Sequence, residues 1–275
     1  MILDKINQPN DIKNLSEDEI MKLPDEIRSF LIEHLSQTGG HLASNLGTVE
    51  LTIALHLICD FPEDKIIWDV GHQSYTHKIL TGRKNQFDTL RQFQGLSGFP
   101  KRSESDCDSF DTGHSSTSIS AALGYACARK IQGKNNKVVA VIGDGALTGG
   151  MAYEALNNAA MLKDSNLLIV LNDNEMSISK NVGGMSLNLE KVRTSAKYNG
   201  LKNSVIDSLD KLPNGENLIK RIRKTKNTIK SIVVPNMVFE DLGVMYLGPV
   251  DGHDIKAMTA MFEMAVNCDG PVLVH

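Results

Sequence analysis

Apolar residues occur along this chain in short continuous runs, and each run ends at glycine or asparagine beside an acidic residue. One run covers 138–142 and ends at a Gly-Asp-Gly turn at 143–145, and another covers 167–171 and ends at an Asn-Asp-Asn turn at 172–174. Between them, small and apolar residues recur at helical spacing from 151 to 159. This pattern is typical of a βαβ unit whose two parallel strands are buried on both faces.

The rest of the chain continues the alternation of helices and strands. Ser16 and Glu19 form a capping box that predicts a helix containing Pro24, which either kinks the helix or marks its first turn, and a mostly apolar helix is predicted at 48–59. The segment 39–47 is predicted to be a loop too polar for the core. Further strands are predicted at 65–70, 244–247 and 271–275, and helices at 118–126 and 254–268. The order predicts an α/β fold: a doubly wound, mostly parallel sheet with helices on both faces.

Length and local composition predict one domain with a long insertion. A chain of 275 residues is at the upper end of what one hydrophobic core supports. The segment 181–237 has few strand signals and carries a basic stretch at 220–226, so we interpret it as a mobile insertion with a solvated helix face. Limited proteolysis is expected to cut between 181 and 234 before it cuts the strands.

Charge and cysteine usage exclude several classes of function. A formal net charge of −4 gives no reason to expect nucleic acid as a partner, and no apolar run is long enough to span a membrane. The four cysteines lack C-x-x-C spacing, so neither a disulfide framework nor a zinc site is expected. The first ten residues do not resemble a signal peptide. A reducing cytoplasm is the expected setting.

The two turns that follow the central strands predict a metal site. Parallel strands end at the same edge of a sheet, so Asp144 and Asn174 should meet there. Glycines at a strand-to-helix turn suggest a bound phosphate, but Thr148 breaks the dinucleotide pattern G-x-G-x-x-G, which makes a nicotinamide dehydrogenase a weak alternative. Because a diphosphate beside the Asp144 carboxylate would be repelled, we predict a bridging Mg²⁺ held by Asp144, Asn174 and the Met176 carbonyl oxygen.

Three histidines in glycine-flanked loops are predicted to take part in the chemistry. His72 follows a predicted strand and His114 precedes a predicted helix, so both belong to the expected ligand edge, while His41 lies in the loop before the apolar helix. An imidazole can donate to a phosphate oxygen or exchange a proton with a carbonyl oxygen near neutral pH. An isolated histidine is more often structural.

Several motifs resemble those of thiamine-diphosphate enzymes, and more narrowly those of the 1-deoxy-D-xylulose-5-phosphate synthase family. The matching segments are 71–73, 78–83, 98–102, 113–117, 143–145, 172–179 and 248–254. The resemblance covers nearly the whole chain, yet the family's polypeptide is more than twice this length. It therefore implies that residues 1–275 form the thiamine-diphosphate and Mg²⁺ domain, without the pyrimidine-binding and C-terminal domains.

The resemblance also implies roles for individual residues. Cofactor contacts are expected from His72, Gly113, His114, Ser115, Gly145, Ala146 and Asn174, and Mg²⁺ ligation from Asp144, Asn174 and Met176. His41 matches a family histidine near the reacting substrate, so the residues expected to take part in catalysis are His41, His72 and His114. His253 belongs to a family signature to which the sequence assigns no chemistry.

The implied reaction is the condensation of pyruvate with glyceraldehyde 3-phosphate to 1-deoxy-D-xylulose 5-phosphate and CO₂, a step toward isoprenoids, thiamine and pyridoxal. The family's pyrimidine-contacting glutamate lies in a second domain, so this chain is expected to need that domain or a partner subunit, and the complete enzyme to be a homodimer. Two alternatives stay open: the N-terminal subunit of a split transketolase, and a cofactor-binding module without turnover.

Overall fold

The computed structural model of the chain describes residues 1–174, 184, 189 and 237–275. The helices are α1 Glu17–Thr38, α2 Leu42–Leu46, α3 Val49–Ile58, α4 Tyr75–Lys78, α5 Ser118–Ile131, α6 Asp144–Leu147, α7 Gly150–Met161, α8 Met237–Asp241 and α9 Ile255–Val266. The strands are β1 Lys65–Trp68, β2 Val138–Gly143, β3 Leu167–Asn172, β4 Met245–Leu247 and β5 Val272–Val274. Short helical turns occupy Ile2–Lys5, Asp11–Asn14, Ile79–Arg83 and Lys84–Thr89.

The five described strands form one sheet in the order β1-β2-β3-β5-β4, and every neighbouring pair is parallel. The register between β2 and β3 pairs Val138 with Leu167 and Gly143 with Asn172. Both strands therefore end at the same level, which confirms the predicted βαβ unit. All strand carboxyl ends lie along one edge, where sheets of this kind bind ligands.

Alternate residues of each strand face two separate layers of helices. Ala140 and Ile142 of β2 pack with residues of α5 and α7, whereas Val139 and Val141 pack with residues of α3 and α9. Because successive strand side chains point to opposite faces, a continuous apolar run is needed to bury both. The doubly wound arrangement predicted from these runs is confirmed.

A third apolar cluster lies outside the α3 layer and involves α1. The capping box at Ser16 and Glu19 is formed, and Pro24 lies inside the helix rather than in its first turn. Leu51 and Leu55 of α3 face the sheet while other residues of α3 face α1, which explains why this helix is apolar all round. The segment 39–47 differs from its prediction: part of it is α2, and Asn45 within it is fully buried.

Buried ionic groups join α4 and the turn after it to the loop before α5. Arg83 makes a bidentate pair with Asp108, with Nη1–Oδ2 and Nη2–Oδ1 distances of 2.6 and 2.8 Å. Lys78, which is fully buried, binds Glu104 at 2.6 Å. Burial alone would raise the pKa of Asp108, but Arg83 and His77 hold it well below its usual range. These pairs fasten the loop to the body of the domain.

Two histidines in this region are buried and hydrogen-bonded to each other. His56 Nε2 lies 2.9 Å from His77 Nδ1, and His77 Nε2 lies 3.3 Å from Asp108 Oδ1. Burial lowers the pKa of both imidazoles, most strongly for His56. The unfolded chain, in which a histidine titrates near about 6.5, therefore takes up a proton first as the pH falls. The contribution of His56 and His77 to folding stability is therefore present above about pH 6.5 and is lost as the pH falls below it.

His56→Gln tests this dependence, because glutamine reaches a similar position without titrating. We expect wild type to lose about 1 kcal/mol of unfolding free energy relative to the variant as the pH falls from roughly 7.5 to 5.5. Urea denaturation at several pH values measures it, and the comparison cancels the titrating groups that do not interact with His56. A difference independent of pH would contradict the prediction.

None of the helices within the described residues combines the length and the apolar character needed to cross a bilayer. Two predictions concern positions that lie outside the described residues. These are Met176 as a metal ligand and nearly all of the mobile insertion at 181–237, including its protease sensitivity.

Candidate functional site

The predicted site residues lie in turns along the carboxyl edge of the sheet. His72 follows β1, Asp144 begins α6 directly after β2, and Asn174 follows β3. Because the Cα register pairs the last residues of β2 and β3, the turn at 143–145 and the turn at 172–174 are adjacent, as the sequence predicted. The edge thus brings residues that are about a hundred positions apart in the sequence to one side of the molecule.

Two carboxylates face each other at this edge. Asp144 is only 5% exposed, and burial together with the charge of Asp173 raises the pKa of Asp144 to about 6. Asp173 is held in turn by His275, whose Nε2 lies 2.9 Å from its Oδ2, and Tyr246 hydroxyl lies 2.7 Å from His275 Nδ1. Two buried carboxylates in contact repel each other, so the site favours a cation or a proton.

The donor set around Asp144 suits a hard cation completed by a ligand. Asn174 is exposed and directly follows Asp173 in the same turn. Over the ranges 1–174 and 237–275, no three Asp, Glu, His or Cys side chains are arranged to hold a metal ion by themselves. A site with few protein ligands is the kind that Mg²⁺ uses when phosphate oxygens and water complete its shell.

Asp69 holds the predicted cofactor loop against the sheet. Its carboxylate accepts hydrogen bonds from the main-chain N–H groups of Ser116 at 2.7 Å and Ser118 at 3.0 Å. Residues 115–117 are of types that commonly cap helices, yet Thr117 stands at the cap position of α5 without a side-chain hydrogen bond to the helix. A buried carboxylate from a neighbouring strand end supplies the acceptors instead.

The same loop touches the Gly-Asp-Gly turn. Ser116 Oγ donates to the carbonyl oxygen of Ala146 at 2.7 Å, and a Cβ at Gly149 would overlap the Ser116 side chain. Gly113 and Ser115 are exposed on this loop, while Gly145 and Ala146 are half-buried in the turn beside it. The structure therefore brings these four predicted cofactor residues into neighbouring segments.

His41 and His72 form a pair of rings. Their centroids are 5.3 Å apart in an edge-to-face arrangement, and Phe99 lies 6.0 Å from His41. Burial lowers the pKa of both imidazoles, Arg91 adding to the effect at His41 and His41 at His72. The Nδ1 atoms of both are buried without a hydrogen-bond partner. Both residues are half-buried rather than fully buried, so the neutral rings can still donate to or accept from a ligand on their exposed side.

His114 is placed differently from that pair. It is exposed on the loop before α5, and its carbonyl oxygen accepts from Thr117 at 3.2 Å. Within the part of the chain that the structure describes, its ring makes neither a hydrogen bond nor a ring contact. The structure thus brings His41 and His72 together and leaves the His114 side chain facing solvent at the same edge.

His253, to which the sequence assigned no chemistry, lies in the loop after β4 on the ligand edge. Its Nδ1 is 3.2 Å from Glu50 Oε2, and Glu50 also binds Arg28 at 2.6 Å. The imidazole is largely exposed while Glu50 is buried. A buried carboxylate that holds one ring nitrogen leaves the other facing outward.

Sequence reasoning missed the residues that support this site. Asp69 directly follows an apolar run, and Asp173, like Asp144, follows one after a single intervening residue, so the strand-end position could have indicated them. Glu50 and Asn45 carried no such signal, since a single polar residue inside an apolar helix or a glycine-rich loop has many structural explanations.

Comparison with known proteins matches the chain to one protein family. A family model described as 1-deoxy-D-xylulose-5-phosphate synthase matches residues 3–275. Curated proteins of that name from Lachnoclostridium phytofermentans and Syntrophomonas wolfei are 58% and 56% identical to this chain over 275 residues. The alignments cover all of this chain but only 44% and 43% of those relatives, so the chain spans less than half of their length.

Solved structures of transketolases share the fold. The enzyme from Campylobacter jejuni aligns with a TM-score of 0.65 at 18% identity, over 94% of this chain and 37% of that one. The transketolase from Leishmania mexicana aligns with a TM-score of 0.64 at 15% identity, over 93% and 36% of the two chains. Identities this low support the architecture alone.

Proposed function

This chain belongs to the 1-deoxy-D-xylulose-5-phosphate synthase family, a family of transferases, and on that premise we propose that it holds the Mg²⁺-diphosphate end of thiamine diphosphate. In the complete enzyme that cofactor would serve the condensation of pyruvate with glyceraldehyde 3-phosphate to 1-deoxy-D-xylulose 5-phosphate and CO₂. The observation that carries the proposal is the buried Asp144–Asp173 pair beside Asn174 at the carboxyl edge of the sheet.

The residues present fit such a group. Two carboxylates that repel each other away from water are stabilised by a small divalent cation between protein and phosphate oxygens. The half-buried Gly145 and Ala146 lie beside the exposed Gly113 and Ser115, so main-chain groups can approach a diphosphate closely. Asp144 and Asn174, with the Met176 carbonyl oxygen, would hold the cation, and the loop 113–115 with 145–146 would hold the phosphates.

The histidines would act on the other side of the ligand. When bound, the cofactor supplies carbanion stabilisation, which amino acid side chains cannot provide. His41 and His72 are half-buried imidazoles whose pKa is lowered by burial, so the neutral rings can donate to a phosphate or a carbonyl oxygen and accept a proton in return. His114, exposed on the loop before α5, would close onto the cofactor.

The remaining parts of the site would come from outside this chain. Because the chain spans 44% of the length of its relatives, the pyrimidine-binding and C-terminal domains are assigned to a further part of the polypeptide or to a partner subunit. The complete enzyme would be a cytoplasmic homodimer that feeds isoprenoid and thiamine synthesis. The isolated chain would bind the diphosphate end without turnover.

A split transketolase is the less favoured reading. The transketolase structures resemble the chain at 15–18% identity, whereas the synthase relatives reach 56–58%. A donor assay separates the two functions, because pyruvate consumption supports the synthase and ketose phosphate consumption supports the transketolase. A module that binds the cofactor without turnover would use neither donor even when the missing domains are supplied.

The binding proposal is tested by calorimetry on the 275-residue chain with inorganic diphosphate as the probe. We expect binding that depends on Mg²⁺ and disappears with EDTA, since without the cation the Asp144 carboxylate would repel the diphosphate. Thiamine diphosphate should compete for the same site, and thiamine without phosphates should not. Diphosphate binding that is equally tight with and without Mg²⁺ would contradict the proposal.

A further inference from the structure

Asn45 is a fully buried amide whose polar atoms all bind main-chain groups of the site. Its Nδ2 donates to the carbonyl oxygens of His41 at 2.7 Å and His72 at 2.8 Å, and its Oδ1 accepts from the N–H of Tyr75 at 2.8 Å. Asn45 lies in the short helix α2, four residues after His41. It therefore joins the loop that carries His41 to the turn that carries His72.

An amide is the group that these three partners require. Two carbonyl oxygens need two donors and the N–H needs an acceptor, and asparagine offers both in one short side chain. Aspartate would place a carboxylate against two carbonyl oxygens, and an apolar residue would leave three buried main-chain groups without a partner. The observed geometry fixes the distance between two segments that carry the paired imidazoles.

We propose that Asn45 is a positioning residue that sets the spacing and orientation of His41 and His72; its importance for activity rests on the function proposed above. The two rings lie edge to face with centroids 5.3 Å apart, and their buried Nδ1 atoms are free. Loss of the amide link would let the His72 turn move relative to the His41 loop. Displacements of about 1 Å near reacting groups can lower rates about 100-fold.

The first test measures the histidine pair directly, without any ligand. In Asn45→Asp, we expect the through-space NMR contact between the His41 and His72 rings to be lost and the nitrogen shifts of both rings to change. Signals are assigned with His41→Gln and His72→Gln. Unchanged ring contacts and nitrogen shifts in a folded Asn45→Asp chain would overturn the proposal, whatever the function of the site.

Thr48→Val is the matched control for general destabilisation. Thr48 is also buried and donates to the carbonyl oxygens of nearby Ser44 and Asn45 and to that of Gln73, but none of these hydrogen bonds goes to His41 or His72. The denaturation midpoints of both variants are measured, so that the ring signals can be compared at a known loss of stability. If Thr48→Val disturbs the ring signals as much as Asn45→Asp does, the effect is structural and the assignment of Asn45 is wrong.

The second test uses the full-length polypeptide and separates this inference from the proposed function. We expect Asn45→Asp to lower kcat about 100-fold while Mg²⁺-dependent diphosphate affinity changes less than threefold. If the wild-type protein shows no Mg²⁺-dependent diphosphate binding, the proposed function is wrong. The positioning role of Asn45 is then still tested by the NMR measurement, which does not depend on that function. A normal kcat in Asn45→Asp with disturbed rings would overturn the catalytic importance of the spacing.

Discussion

Replacing Asp144 with asparagine is expected to make the metal-free chain harder to unfold while removing its ability to bind Mg²⁺ with diphosphate. Asp144 is buried against Asp173, which raises its pKa to about 6, so its ionised form is unfavourable in the folded chain at neutral pH. Asparagine keeps the shape, removes the like charge and can donate to Asp173. Raising the pKa of Asp144 from 3.8 to about 6 corresponds to roughly 3 kcal/mol, which is the upper limit of the gain in unfolding free energy.

The binding loss should be large, because a ligand that contacts the ion directly is removed. We expect Mg²⁺-dependent affinity for diphosphate and for thiamine diphosphate to fall by more than about 100-fold in Asp144→Asn and to be undetectable in Asp144→Ala. Urea denaturation in EDTA and titration calorimetry give the two readouts. Such an exchange of stability for function is common at binding sites.

Asp164→Asn is the matched control for this pair of measurements. Asp164 is exposed and paired with Lys130 at 2.8 Å on the surface. Its replacement should leave the unfolding free energy nearly unchanged and binding intact, because an exposed ion pair contributes little. An Asp144→Asn chain that is less stable than wild type in EDTA, or that binds diphosphate normally, would refute the assignment.

The second large effect is expected from Asp108→Ala, which should destabilise the chain by about 3–5 kcal/mol. Asp108 is fully buried and accepts two hydrogen bonds from Arg83 and one from the N–H of Lys101 at 2.8 Å. Without it, the buried Arg83 guanidinium loses its bidentate partner and keeps only the Thr81 hydroxyl and a 3.5 Å contact with Glu104, and the N–H of Lys101 loses its acceptor. The loop held this way also carries Phe99, whose ring faces His41.

Chemical denaturation measures this loss of stability. A double variant tests whether it arises from the Arg83 charge, which stays buried after its carboxylate partner is removed. Asp108→Ala combined with Arg83→Met removes both charges and should recover a substantial part of the stability. Lys130→Met, which breaks the exposed pair with Asp164, should have an effect below about 1 kcal/mol. Equal effects at the buried and exposed pairs would contradict the expectation.

The fold could be predicted from local sequence because the relevant signals are periodic. Apolar runs such as 138–142 and 167–171 can be buried on both faces only in parallel strands covered by helices, and that arrangement is observed. The convergence of Asp144 with the turn at 172–174 followed from the same reasoning, since parallel strands have a common carboxyl edge. The capping box at Ser16 was equally visible.

The support of the site could not be predicted, because it depends on contacts between distant segments. Asp69 caps α5 from the end of β1, forty-seven positions before Ser116, and no local motif distinguishes such a cap from the serines beside the helix. Asn45 belongs to a segment that looked too polar for the core. It is buried because three main-chain groups satisfy its amide, and two of them, at His72 and Tyr75, belong to another segment.

The sequence by itself determined the sheet, the two helical layers and the edge at which Asp144, Asn174 and His72 would lie, because strand periodicity and turn chemistry act over a few residues. Only the tertiary structure decided which buried groups hold that edge in place, namely Asp173 against Asp144, Asp69 against the loop before α5, and Asn45 between the histidines. Each buried polar group needs a hydrogen-bond partner, and the packing of the whole chain decides which group becomes that partner. Proximity in sequence does not specify it.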